Sequence, residues 1–156
     1  MLTVSLLVCA VIVLAGADDA PAAPSCPDGF QEFNGRCFHY VDTERSWTDA
    51  EKNCQSMEGN LASVHSELDY RFIQMMMEKH TNGSLPNSWI GGTDCQKEGS
   101  WFWSDGSTFL FQLWCPREPN NIHGNQHCME MNFGADNCWN DMDCAKKHPS
   151  VCARSL

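Results

Sequence analysis

The hydrophobic and polar positions follow two different patterns, and the change falls near residue 87. Before it, apolar residues recur at helical spacing in two stretches. After it, the runs SWIGG, SWFWSDG, HCMEMN and SVCA are short, rich in aromatic or apolar residues, and separated by turn residues. Such runs are typical of strands. Two helices followed by several strands predict an α+β domain.

The stretch SWTDAEKNCQSMEGNL predicts the first helix. Ser46 is placed to cap its N-terminus, Asp49 completes a capping-box pattern, and Gly59 is expected to stop it. The apolar face would consist of Trp47, Ala50 and Cys54.

The stretch SELDYRFIQMMMEKH predicts the second helix, with Ser66 as the cap and Asp69 in the first turn. The predicted buried stripe is Leu68, Phe72, Ile73 and Met76. Upstream of both helices, CPDGFQEFNGRCFHYV has the form of a small hairpin, with Asn34-Gly35 as its turn.

The first 17 residues are an apolar run that ends in the small-x-small pattern Ala15-Gly16-Ala17. This pattern predicts a cleaved signal peptide at 1–17, followed by a short propeptide or flexible tail at 18–25 and one domain at 26–156. No later segment is long and apolar enough to insert in a membrane. We therefore expect a soluble, secreted, extracellular protein.

Ten cysteines occur, and Cys9 would leave with the signal peptide. Nine cysteines in an oxidising compartment predict a disulfide framework with one thiol left over. The formal net charge of −10 argues against nucleic acid as a partner and is compatible with cation binding. Asn82-Gly83-Ser84 is an N-glycosylation sequon in a polar stretch, so Asn82 is a candidate glycosylation site.

A polar stretch rich in Gly, Pro and Asn runs from about Gln112 to Gln126, and loops this long are usually functional. Within it, Glu118 and Asn120 flank Pro119, where a cis Glu118–Pro119 bond would turn both side chains to one side. Farther on, CWNDMDC supplies Asn140 and Asp141. Two acid–amide pairs on separate segments predict a cage of oxygen ligands for Ca²⁺.

The motifs together resemble the C-type lectin domain family. The matching segments are CPDGF, RSWTDAEKNC, NLASVHS, SWIGG, WSDG, EPNN, CWND and SVC, in the family's order, and the resemblance covers Cys26 to Ala153. It implies a disulfide-stapled, double-loop α+β fold with two helices and two small antiparallel sheets. Within the family, the leader and three extra cysteines are similar to the fish type II antifreeze proteins and fish C-type lectins.

The resemblance also implies disulfide pairings. The family's three bridges match Cys26–Cys37, Cys54–Cys152 and Cys128–Cys144, and the fish group adds Cys115–Cys138. The fish group's last bridge would join Cys95 to a cysteine where this chain has His127. Cys95 is therefore the expected free thiol, either a buried, inert residue or the site of a disulfide-linked dimer.

The same resemblance assigns roles in the polar loop. Glu118, Asn120, Asn140 and Asp141 match positions that bind Ca²⁺ and, through it, a sugar. Gln126 stands where a fifth ligand is normally Glu, so this chain has one negative charge fewer there. E-P-N implies mannose-type sugars with equatorial 3- and 4-hydroxyls, against which Ile122 or His123 could pack.

Two other functions remain open from the sequence. The first is a type II antifreeze protein that binds ice on the same scaffold, with Thr93 and Thr108 as candidate surface threonines. The second is a calcium-independent protein-interaction domain, which Gln126 keeps open. The chain has no nucleophile motif and no obvious pair of catalytic carboxylates, so we do not expect an enzyme.

Overall fold

The computed structural model describes residues 25–156. The expected signal peptide and all but the last residue of the expected tail lie outside the described residues. In chain order the elements are β1 (Gln31–Phe33), β2 (Arg36–Arg45), α1 (Trp47–Ser56), β3 (Asn60–Leu61), α2 (Glu67–His80), β4 (Ser88–Thr93), β5 (Phe102–Trp103), β6 (Cys128–Phe133), β7 (Cys138–Met142) and β8 (His148–Ser155). Neither helix in this range has the length and apolarity to cross a bilayer.

The strands form two antiparallel groups that meet at one parallel pair. β1, β2, β8 and β3 make one group, and β4, β5, β6 and β7 make the other. The parallel pairing of Trp89 in β4 with Ser150 in β8 joins them. The predicted α+β class is confirmed, and this pairing joins the two antiparallel groups into one mixed, eight-stranded sheet.

The N-terminal hairpin forms as predicted. Phe33 pairs with Arg36 across the turn. Asn34 and Gly35 have φ values of 51° and 73°. Two left-handed residues in a two-residue loop give the turn that matches the twist of the strands, which explains Asn-Gly at this point.

The first helix starts as predicted and ends differently. The Ser46 hydroxyl oxygen accepts a hydrogen bond from the Asp49 backbone N–H and donates one to the Asp49 carboxylate. The left-handed residue after the helix is Glu58, with φ 59°, and not Gly59. Gly59 is needed for another reason: a Cβ there would collide with the Ala153 carbonyl oxygen of β8.

The second helix is capped by Ser66 as predicted, but its buried face is rotated from the predicted stripe. Tyr70, Ile73, Met76 and Met77 are buried, whereas the Leu68 side chain is 68% exposed. Leu68 precedes Tyr70 by two positions, which places it about 200° around the helix from Tyr70. The prediction that Leu68 is buried is wrong.

The main core lies between α2 and strands of both groups, and it includes Phe38 of β2 and Val151 of β8. Its largest buried side chains include Trp139 of β7, Ile90 of β4 and Met129 of β6. Every residue of β4 is buried. A smaller core beneath α1 contains Trp89 and the Cys54–Cys152 bridge.

Candidate functional site

The polar loop is fastened to β7 before it reaches Glu118. The Trp139 N–H donates to the Leu113 carbonyl oxygen at 2.8 Å, and the Cys115 N–H donates to the Trp139 carbonyl oxygen at 2.9 Å. A disulfide joins Cys115 to Cys138. Residues after Cys115 therefore start beside the strand that carries Asn140 and Asp141, two segments that are more than twenty residues apart in sequence.

Asp141 is the centre of the loop's hydrogen bonds. Asp141 is only 1% exposed. Its Oδ1 accepts a hydrogen bond from the Asn120 N–H at 3.0 Å, and its Oδ2 accepts one from the Asn121 N–H at 2.6 Å. The Glu118–Pro119 peptide bond just before them is cis, as expected. The EPNN segment thus wraps around the Asp141 carboxylate.

Glu118 brings a second carboxylate to the same place. Burial, together with the neighbouring Asp141 carboxylate, raises the pKa of Glu118 above its ordinary value. Its Oε2 atom is buried and has no hydrogen-bond partner among the described residues. Two carboxylates that crowd each other, with a buried acceptor unused, are the arrangement that a bound cation would stabilise.

The Asn140 side chain is oriented by the buried carboxylate of Glu130 on the neighbouring strand. Its Nδ2 donates to Glu130 Oε1 at 2.8 Å, so its Oδ1 is the atom left for another partner. Glu130 is fully buried, and this burial raises its pKa although Asn140 and Asn87 donate hydrogen bonds to it. Glu130 therefore fixes which end of the Asn140 amide faces away from the strand pair.

Asn120 and Gln126 face each other across a tight turn. The Ile122 N–H donates to Asn120 Oδ1 at 3.0 Å and to Gln126 Oε1 at 2.7 Å. The Gln126 N–H donates to Asn121 Oδ1 at 2.9 Å. The side-chain oxygens of Asn120 and Gln126 therefore both point at the Ile122 N–H, in the same loop as Glu118.

Ile122 and His123 lie at the tip of this loop. They open a single 3-10 turn at Ile122–Gly124, and both are exposed, with the Ile122 side chain 50% accessible. His123 has a φ of 63°. Either side chain is available to a molecule that approaches the loop.

The donor set suits calcium. Carboxylate and amide oxygens are the ligands that this hard cation takes, and thiolates and imidazoles are absent from the five residues Glu118, Asn120, Gln126, Asn140 and Asp141. The structure places Glu118, Asn120 and Asp141 in one cluster, with Asn140 beside Asp141 on β7 and Gln126 across the turn.

A second cluster of ionisable side chains, for which the sequence has no local signal, lies against the loop. His127 Nδ1 is 3.0 Å from Asp94 Oδ1 and 3.4 Å from Glu98 Oε2. Glu98 Oε2 also accepts from Asn121 Nδ2 at 2.6 Å. These contacts brace the calcium-candidate loop, and no local signal reveals them because His127 lies about thirty positions from its two partners.

An aromatic cleft of about 380 Å³ adjoins Glu118 and Pro119. Trp101, Phe109 and Trp114 line it, and the Trp101 and Trp114 rings meet edge to face at 4.8 Å. The oxygen ligands in the sequence indicate the loop but carry no signal for this apolar surface beside it.

The described chain contains four disulfides: Cys26–Cys37, Cys54–Cys152, Cys115–Cys138 and Cys128–Cys144. These are the pairings that the resemblance implies. Cys95 is free and exposed, which disagrees with a buried, inert role. Asn82 is exposed in the turn after α2, where a glycan could be attached.

Comparisons with known proteins find relatives named for ice structuring and relatives named as lectins. A type-2 ice-structuring protein of Hemitripterus americanus is 40% identical, with both chains covered completely. The galactose-specific lectin nattectin of Thalassophryne nattereri is 40% identical over 86% of this chain and 84% of its own. The structure of herring type II antifreeze protein superposes with a TM-score of 0.78 at 39% identity, covering 84% of this chain and 99% of that one.

The family model for the lectin C-type domain matches residues 43–154, which include both helices and the whole polar loop. Together with the fold and these relatives, this match shows that the chain belongs to the C-type lectin domain family.

Proposed function

We propose that the protein is a secreted, calcium-dependent carbohydrate-binding lectin with mannose-type specificity. The observation that carries the proposal is the buried Glu118 Oε2, which has no hydrogen-bond partner in residues 25–156 and lies beside the Asp141 carboxylate. A cation there would pair with both carboxylates and remove the repulsion that raises the pKa of Glu118.

The ion would be held by Glu118, Asn120, Asn140 and Asp141, with Gln126 as a neutral fifth ligand. When bound, it would supply open coordination positions for two neighbouring sugar hydroxyls. The chain's own contribution is orientation: the carboxylates accept from hydroxyl groups, and the exposed loop tip with Ile122 and His123 meets the sugar ring. The partner is then a glycan with equatorial 3- and 4-hydroxyls.

Affinity chromatography tests the proposal. We expect the folded protein to be retained on mannose-agarose in calcium and released by EDTA. Retention that EDTA does not change would contradict the calcium mechanism. Because a 40% identical relative is named as galactose-specific, elution with free mannose and free galactose must be compared, and stronger elution by galactose would contradict the mannose preference.

A double substitution in the loop tests the proposed preference for mannose over galactose. Changing E-P-N to Q-P-D with the pair Glu118→Gln and Asn120→Asp keeps the number of carboxylates and exchanges their positions. We expect calcium binding to persist and elution to shift from mannose towards galactose. A parallel loss of calcium binding and sugar binding would show only that the loop had been damaged, and the mannose assignment would then lose its support.

Ice binding is the second candidate, because a relative aligned along the whole chain is named as ice-structuring. The structure narrows where it could occur. Thr93 is buried, and its Oγ1 donates to the His127 carbonyl oxygen at 2.7 Å, so it does not belong to an ice-facing surface. Thr108 is exposed. Thermal hysteresis measured with and without EDTA separates this function from sugar binding.

A calcium-independent protein-interaction domain is the third reading. It would be favoured by a protein that neither binds calcium in titration calorimetry nor shows thermal hysteresis. Under all three readings the protein is a binding protein and not an enzyme. Its acid excess keeps nucleic acid out of the proposed partners.

A further inference from the structure

Three sulfur atoms lie in contact at the edge of the second strand group. Cys128 and Cys144 form a disulfide, and the free Cys95 Sγ is 3.9 Å from Cys144 Sγ. All three Sγ atoms lie within 4.8 Å of one another. A free thiol in van der Waals contact with a disulfide provides the two reacting groups of thiol–disulfide exchange.

The backbone holds Cys95 beside the bridge. The Cys95 N–H donates to Thr93 Oγ1 at 3.2 Å, and Thr93 Oγ1 donates to the His127 carbonyl oxygen. Thr93 of β4 also pairs with Cys128 of β6 in the sheet. The segment after β4 is therefore tied to the start of β6, which keeps the Cys95 Sγ within 3.9 Å of Cys144 Sγ.

We propose that Cys95, Cys128 and Cys144 form a thiol–disulfide exchange unit within one molecule. The Cys95 thiol gives its proton to solvent, and its thiolate attacks Cys144 Sγ. The Cys95–Cys144 bond forms as the Cys144–Cys128 bond breaks, and the bonding pair leaves on Cys128 Sγ, which takes up one proton for the one released at Cys95. One thiol and one disulfide are present before and after, so no oxidant or reductant is consumed.

The positions of the sulfurs define the movement that the step needs. With all three Sγ atoms within 4.8 Å, Cys95 approaches the side of the bridge and not its axis. Attack in line with the Cys144–Cys128 bond requires rotation of the Cys95 side chain about its Cα–Cβ bond. Cys95 is exposed, so that rotation is open to it.

Exchange would change which segment is joined to Cys144 by a disulfide. In the present form, Cys144 fastens the β7–β8 connection to the first residue of β6, two positions after Gln126. In the exchanged form, Cys144 would be fastened to the segment after β4 instead. The exposed thiol would be replaced by the Cys128 thiol, which is fully buried. The unit would thus convert a reactive surface thiol into a hidden one, whether or not the loop binds calcium.

Tryptic mapping reads the two forms separately. Trypsin leaves Cys95 in peptide 80–97, Cys115 in peptide 98–117, and Cys128, Cys138 and Cys144 in peptide 118–146. The native protein is incubated at pH 8, acid-quenched, unfolded, alkylated with N-ethylmaleimide at low pH and digested, and any N-linked glycan is removed. Mass spectrometry then measures how much of peptide 80–97 is disulfide-linked to peptide 118–146.

We expect a linked share of at least about one in a hundred, with the alkylated cysteine of the linked peptide at Cys128. That share corresponds to a difference of at most about 2.7 kcal/mol between the two bridge forms. A smaller share, a link to Cys128 with Cys144 alkylated, or peptide 80–97 linked to a second copy of itself would each overturn the proposal.

Two variants complete the test. Cys128→Ser should fold with Cys95 linked to Cys144, and alkylation of both cysteines in that variant would contradict the assignment. Cys95→Ser is the control: it should retain the Cys128–Cys144 bridge and give no reactive thiol. The native Cys115–Cys138 bridge links peptide 98–117 to peptide 118–146 in every sample. If other, non-native links appear in this control as often as the 80–97 link appears in the parent protein, scrambling during work-up explains them and the proposal fails.

Discussion

Gln126 is the residue at which one substitution is expected to increase the affinity for calcium. Its Oε1 already accepts from the Ile122 N–H at 2.7 Å, an acceptor role that Glu also performs. We expect Gln126→Glu to tighten calcium binding about fivefold, because an added charge at a partly exposed site is worth on the order of 1 kcal/mol. Titration calorimetry measures it.

Asn125→Asp is the matched control for that substitution. It adds the same charge one position earlier, but the Asn125 side chain is exposed and contacts Asp143 instead of the turn around Ile122. Its calcium affinity should stay within about twofold of the parent. Equal tightening in both variants would show a general charge effect, and the placement of Gln126 in the site would be wrong.

Glu118→Gln should separate calcium binding from folding. The substitution keeps the shape and removes a carboxylate whose pKa is raised by burial and by Asp141. We expect calcium affinity to fall at least about tenfold, or about 1.4 kcal/mol, while the calcium-free protein melts at the same or a higher temperature. Calorimetric melting with and without calcium tests both, and a marked drop in the calcium-free melting temperature would contradict this account.

At the scale of single residues, the sequence indicates the loop and its oxygens because E-P-N and W-N-D are contiguous motifs. It does not indicate Glu130, which orients Asn140, or the contact of His127 with Asp94 and Glu98. These partners come from different strands and loops. Only the register of β4, β6 and β7 brings them together, and no local pattern encodes that register.

The attachment of α1 depends on one buried acid. Glu51 is 7% exposed, and its carboxylate accepts from the Leu61 N–H of β3, from Ser104 Oγ after β5, and from Asn60 and Gln55 side chains. It therefore links the helix to both strand groups. Four donors to one charged group are a strong network, because each such bond contributes about 1.5–3 kcal/mol.

Glu51→Gln should lower the free energy of unfolding by about 2–3 kcal/mol, because an NH₂ group replaces one acceptor and faces the donors of the network. Urea denaturation monitored by tryptophan fluorescence measures the loss. Lys52→Gln is the control on the exposed side of the same helix and should change stability by less than about 0.5 kcal/mol. Equal effects would show that the network does not stabilise α1.

At the scale of elements, both helix starts, the Asn-Gly hairpin and the main strands were predictable because each has a local signal. The face of α2 was not. Leu68 fits the apolar count as well as Tyr70 does, and the choice between them depends on what packs against the helix. Tyr70 is chosen by tertiary contacts, since its hydroxyl receives the Asn132 N–H at 3.1 Å. The end of α1 differs from the prediction because Gly59 is required for packing against β8, and a glycine at this place has the same appearance in the sequence as a helix cap.

The two disulfides nearest the chain ends should differ in their effect on the whole molecule. Cys54–Cys152 spans 98 positions, and Cys26–Cys37 spans 11. Since the loop-entropy stabilisation grows with loop length, replacing the first pair by alanines should lower the free energy of unfolding about 2 kcal/mol more than replacing the second. Denaturation of the two double variants checks the order, and equal losses would contradict the entropic account.

The same two bridges decide how the molecule would carry mechanical force. Tension between the two ends of the described chain passes through Cys26–Cys37, along residues 38–53, across Cys54–Cys152 and out through residues 153–156. Residues 55–151 hang outside this covalent path. They include the entire candidate calcium loop, so a molecule held at both ends and pulled would stretch a short segment while the loop that meets the ligand bears no direct load.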